Sequence, residues 1–126
     1  MALTEAGVTF LAQAAVGQGT VFNNANARLG VGNGSNAFAV TQTDLLGSSK
    51  FRKGMDVGYP VLDAPVITFK STFAQSEANF EWNEWGIFNA ATGGVMLNRV
   101  VENNGTKQDN QTWVLEVAVT FAVESQ

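Results

Sequence analysis

From Trp113 to Val123 each odd-numbered residue is apolar (Trp113, Leu115, Val117, Val119, Phe121, Val123), while the even positions include Glu116, Ala118 and Thr120. A repeat of two marks a β-strand with one face in a core, because successive side chains leave a strand in opposite directions. Burial of such a row, at on the order of 1.5 to 3 kcal/mol per side chain, predicts a central core strand. Val66 to Phe73 has the same rhythm, with Ile67, Phe69 and Phe73 on one side and Thr68, Lys70 and Thr72 on the other. Its partner is expected to run from Ala78 to Phe88, followed by a turn over Asn89 to Gly94 and a strand from Val95 to Val101. Together these strands predict an antiparallel meander. The fold class is mainly β, an antiparallel β-sandwich or barrel-like domain with one short N-terminal helix.

A length of 126 residues suits one domain with one good core, so residues 1–126 are read as a single β-rich structural domain. Histidine and cysteine are both absent from the sequence. Disulfides, thiolate metal sites and the commonest proton shuttle near neutral pH go with them. No catalytic residue, metal or cofactor is expected, and stability must come from packing, backbone hydrogen bonds and subunit association. The net charge of −4, with only 7 basic residues, argues against a nucleic-acid partner. No apolar run approaches the ~20 residues of a membrane span, and Met1 to Val16 lacks a basic leader with a continuous apolar centre. A soluble protein, made and kept in the cytoplasm, is expected.

Leu3 to Val16 places Leu3, Ala6, Phe10, Leu11, Ala14 and Ala15 at helical spacing, with Thr4 as N-cap, Glu5 in the first turn and Gly17 to end the helix. The segment NNANARLGVGNG, Asn23 to Gly34, reads as turn chemistry around a short strand, Ala27 to Val31. It lacks the lysine and Ser or Thr of a phosphate loop and departs from the dinucleotide fingerprint. Thr41 to Leu46 is expected to form one helical turn. Lys50 to Tyr59 reads as extended and holds a basic concentration, Lys50, Arg52 and Lys53. Lysines on a strand edge discourage unwanted pairing, and the same charges would suit an acidic partner.

Phe80 to Arg99, FEWNEWGIFNAATGGVMLNR, reads as a complete hairpin. Strict alternation would leave both faces of its first strand mixed, so a bulge near Asn83 to Gly86 is expected to bring Phe80 and Trp82 onto one face with Trp85 and Ile87. Glu84 then lies among aromatic groups, where a lone carboxylate would be costly, and either Arg99 or Lys107 is expected to pair with it. A glycosidase general acid is the competing reading, but Glu81, three positions away, does not supply the opposed second carboxylate such chemistry needs. Trp82 and Trp113 raise sugar stacking, set against the more common fate of tryptophan in a small β-domain, the core. Trp82, Glu84, Trp85, Gly86, Arg99 and Trp113 are therefore read as structural.

The order of an N-terminal LTEAG helix, a GVGNG strand and turn, TDLL, a basic strand, NEWGIFNAATGGVMLNR and a terminal WVLEVAVTF strand resembles small structural proteins of tailed bacteriophages. More distantly, Glu84, Trp85, Gly86, Ile87 and Phe88, then Gly93 and Gly94, resemble the N-terminal attachment domain of phage tail-fibre proteins. The resemblance implies a virion component, assembled in the host cytoplasm, that forms a homo-oligomer and binds other virion proteins, the major capsid protein among them. A fibre would continue into a shaft, whereas this chain ends at Gln126, so the expectation is a capsid decoration protein, with a tail or baseplate component as the alternative. Partner contact is expected at Asn23, Asn24, Asn26, Lys50, Arg52, Lys53 and Tyr59.

Overall fold

In the computed structural model, which describes residues 2–123, two antiparallel sheets face each other. The first contains β1 (Arg28–Gly32), β2 (Lys50–Gly54), β5 (Glu84–Phe88) and β6 (Met96–Val101), in the order β2-β1-β5-β6. The second contains β3 (Val61–Asp63), β4 (Val66–Phe73) and β7 (Trp113–Thr120), in the order β3-β4-β7. They do not close into a barrel, so the architecture is a sandwich with one helix, α1 (Glu5–Ala15). Gln126, at which the sequence ends, lies outside the described residues.

The expected meander is corrected. β4 pairs with β7 along its whole length, Val66↔Thr120 to Phe73↔Trp113, whereas β5 pairs with β1 and β6. Burial explains the sorting. Every residue of β5 is buried, which requires neighbours on both sides and cover on both faces. In β4 and β7 buried and more exposed positions alternate along the sequence, and two one-sided strands match each other. β7 is consequently an edge strand, and β4 the centre of its sheet. Val117 and Val119 are buried, Trp113, Leu115 and Phe121 half-buried, and Val123 is 97% exposed beyond the strand.

The hairpin is present, though its first strand starts at Glu84. No bulge falls at 83–86. The register instead shifts between Ile87 and Phe88, whose partners Asn98 and Met96 leave Leu97 as the extra residue on β6. The change of phase before β5 comes from a change of partner. Trp82 exchanges backbone bonds with Gly105 and Asn104 and Glu81 bridges Thr106, so 80–82 is not a continuation of β5. The expected outcome holds nonetheless, with Trp82, Trp85 and Ile87 in one core cluster and Phe80 packed against it. An edge-to-face series, Phe51–Phe73–Trp82–Trp113, with centroid separations of 6.2, 4.9 and 4.9 Å, crosses that core.

Thr4 caps α1 as expected, its hydroxyl accepting from the Gly7 N–H, and Gly17 follows the helix at a φ of 77°. The apolar stripe is less buried than its spacing implies, for Leu11, Ala14 and Ala15 are exposed and Gly7 and Phe10 carry the contact. Gly7 sets this orientation, because a Cβ there would lie 2.6 Å from the Leu97 carbonyl oxygen and only glycine lets the helix come so close to β6. Thr41 to Leu46 makes no helical turn, because the backbone N–H of Leu46 is bonded to a side chain rather than within a helix. The extended basic segment is shorter than expected. It ends at Gly54, and the chain then turns so that Asp56 donates to the Lys70 carbonyl.

Candidate functional site

Glu84 is a buried carboxylate held by four donors. β5 carries it inward, where its carboxylate and the Arg99 guanidinium from β6 meet at 2.8 Å with both side chains wholly buried. Arg99 is thus the cation that the sequence offered alongside Lys107. Three backbone N–H groups complete the carboxylate's shell, those of Gly34 (2.9 Å) and Gly47 (2.7 Å) to Oε2 and that of Leu46 (2.9 Å) to Oε1. Arg99 Nη1 donates to the Asn36 carbonyl and to Gln42 Oε1, while Nη2 is buried without a hydrogen bond among the described residues.

The glycines explain how a carboxylate is received here. A Cβ at Gly32 would collide with Glu84 Oε2, and one at Gly34 would lie 2.6 Å from the same oxygen and 2.7 Å from the Gly47 nitrogen. GVGNG is therefore less a turn former than a clearance, leaving room for the Glu84 head and baring backbone donors toward it. Such a site is chemically closed. Glu84 is 1% exposed and spends both oxygens on four donors, whereas the exposed Glu81 bonds Asn83 at 2.8 Å.

Lys107 occupies a second buried polar site. Its ammonium bonds the Ala74 carbonyl and Asn79 Oδ1, each at 2.8 Å, and so pins the loop after β4. Trp85 is tied at Nε1 to Glu102 (3.0 Å). Trp82 is 3% exposed, donates to the Ala78 carbonyl and packs edge-to-face between Phe73 and Trp113. Trp113 is half-buried beside it, and Gly86 lets β5 pass close to the Asn98 carbonyl.

The basic strand is engaged within the fold. Arg52 stacks on Phe88 at 3.6 Å, bonds the Ala90 and Gly93 carbonyls and reaches Asp44, which also holds Lys50. Lys53 pairs with Glu77 at 2.8 Å. Asn24 bonds the carbonyls of Asp56 and Tyr59, Asn23 and Asn26 close their own turn, and the Tyr59 ring lies beside Lys70. Asn24 and Tyr59 are thus brought together, the basic residues are gathered along β2, and each is tied to acidic or carbonyl partners that lie elsewhere in the sequence. Burial pushes the Asp44 carboxyl up, but the Leu45 N–H, Lys50 and Arg52 outweigh it and hold it below the usual aspartate range. Lys53 and the Ala74 N–H lower Glu77 likewise. Carboxyls depressed in the folded state contribute stability above their unfolded values, here 3.8 and 4.5, which is lost as pH falls through the folded ones. Urea unfolding followed below pH 4.5 is expected to show a steeper decline for wild type than for the Asp44→Asn, Glu77→Gln double variant.

Among the described residues no group of three or more acidic side chains is arranged to hold a metal ion, and no helix is long and apolar enough to cross a membrane. Comparison with protein-family models, curated proteins and solved structures found no match to this chain.

Sequence reasoning missed the open side of the sandwich. Beside β7 lies a cleft of about 530 Å³ lined by Trp82, Glu102, Asn104 and the consecutive residues Thr112 to Val117. Alternation showed the strand's two faces but not that one of its edges lacks a neighbour, which only the strand order reveals.

Proposed function

We propose that the chain is a binding module of a bacteriophage particle, acting as a capsid decoration protein that spreads over subunit seams. The observation behind the binding role is the closure of the Glu84 site, for the carboxylate best placed by sequence to act as an acid is sealed within the fold. The phage assignment rests on the ordered sequence resemblance that spans nearly the whole chain. On this reading the protein works as a homo-oligomer at repeated contacts with the major capsid protein, where each standard interface buries about 1,200 to 2,000 Å² and linked contacts reinforce one another. Its location would be the virion.

The hairpin run from Glu84 to Phe88 with Gly93 and Gly94 supports a second reading, attachment at a tail or baseplate. Antibody labelling of purified particles tests both. Label over the shell lattice is the expected result, label confined to the tail tip favours the second reading, and particles without the protein overturn both.

A further inference from the structure

Two sheets have four outer edges, and three of them are blunted. β3 is three residues long between Pro60 and Pro65, and β2 carries Lys50, Arg52 and Lys53 in five residues. β6 is covered by the chain entering α1, where Thr4 donates to the Leu97 carbonyl and Leu3 bridges Asn98. These are the devices by which sheets prevent stray pairing. The fourth edge, β7, has none of them. It runs for eight residues without proline, basic charge or register shift.

The backbone of that edge can be assigned. Phe121 donates to the Pro65 carbonyl directly opposite it, which makes the odd-numbered residues of β7 the hydrogen-bonded pairs with β4. The N–H and C=O groups of Val114, Glu116, Ala118 and Thr120 therefore point away from β4, where no further strand is present among the described residues. Cavity shape agrees. Consecutive side chains alternate between faces, so a cleft touching every residue from Thr112 to Val117 must lie along the strand's hydrogen-bonding edge. A second cavity continues it along Ala118 to Ala122.

From this we infer that β7 is a strand-addition site for an extended segment of another protein, one that carries lysine or arginine opposite Glu116. Charge selects the occupant. The cleft is lined by Glu102 and Glu116 and by no basic residue. Lys70 stands opposite Glu116 across the β4–β7 ladder, but its ammonium lies over the Tyr59 ring instead of in an ion pair. Asp44, Glu77 and Glu84, by contrast, are all paired with cations inside the fold. A cation on the incoming strand meets Glu116 as a favourable cross-strand pair. A second copy suits the edge poorly. Antiparallel pairing centred on β7, with the apolar faces kept together, sets Glu116 opposite or diagonal to its own counterpart. The incoming backbone takes up the four outward residues in the manner of edge augmentation. This inference rests on reading the chain as a binding module and adds where its partner sits.

The probe is a ten-residue peptide alternating threonine and valine around a central lysine. It is expected to bind and to slow amide exchange at Val114, Glu116, Ala118 and Thr120. Glutamate in place of its lysine weakens binding about fivefold, and Glu116→Lys in the protein reverses that preference. Of two peptides N-methylated on alternate amides, one loses binding, because only one peptide edge faces β7. Ala118→Pro removes an outward N–H at an edge position where proline is tolerated. That variant is expected to keep a folded circular-dichroism spectrum and to lose the peptide. Equal binding by both methylated peptides, or by the Ala118→Pro variant, overturns the proposal. Dimerisation of wild type that Ala118→Pro abolishes would place a second copy on the edge and overturn it too. Ala118→Pro protein that still joins particles removes this edge while leaving the particle role intact. Wild type that binds peptide but is missing from particles does the reverse.

Discussion

Replacing Arg99 by methionine is expected to lower folding stability by about 3 to 5 kcal/mol, because it leaves the Glu84 carboxylate buried without its cation. Against a typical domain stability of about 5 to 15 kcal/mol, much of the protein would unfold under mild denaturant. The more discriminating experiment is Glu84→Leu combined with Arg99→Met. Swapping a buried ion pair for apolar residues of similar volume is often neutral. Here it should not be, since the N–H groups of Gly34, Leu46 and Gly47 would lose their acceptor, at about 1 to 3 kcal/mol for each orphaned donor. In urea unfolding the double variant should remain at least about 3 kcal/mol below wild type. Full recovery would mean that the backbone donors contribute nothing and that the ion pair alone matters.

Trp82→Ala is expected to cost about 3 to 5 kcal/mol, the usual loss for truncating a buried large aromatic. Its ring lies 4.9 Å from both Phe73 and Trp113, so removal breaks the aromatic series at its middle and opens a void between the sheets. Thermal and urea unfolding measure the loss, and the same variant separates packing from sugar recognition. A surface platform for a sugar ring would tolerate alanine with unchanged stability and lose only glycan binding. Trp113→Ala, at a half-buried position on the sandwich's open side, should be milder.

Periodicity revealed the longer strands and the core side of β4 and β7, but not β3, whose three exposed residues between two prolines carry no periodic signal. β4 and β7 could be read residue by residue, as could the hairpin and the need of Glu84 for a cation. Pairing partners were not legible, because alternation fixes a strand's faces and says nothing of its neighbours. That β5 belongs at the centre of a sheet was hinted at by EWGIF, where Glu84 is the one charged residue, yet a short mixed run reads equally as half-buried. Gly32, Gly34 and Gly47 were hidden for a different reason. Glycine signals permissive backbone, and only the fold shows that what is being permitted is the approach of a carboxylate. The basic strand was read as a charged edge, which β2 is, but its ion pairs were not legible, because Asp44 precedes it and Glu77 follows it and only folding brings both alongside.

The two layers draw their strands alternately from the chain, 28–32 and 50–54 for one, 61–63 and 66–73 for the other, then 84–88 and 96–101, and finally 113–120. No contiguous stretch can therefore complete either layer, and distant segments must be gathered before much apolar surface leaves water. High contact order of this kind slows folding. A chain without 113–120 would leave β4 without its longest neighbour, so collapse of the second layer must await that strand.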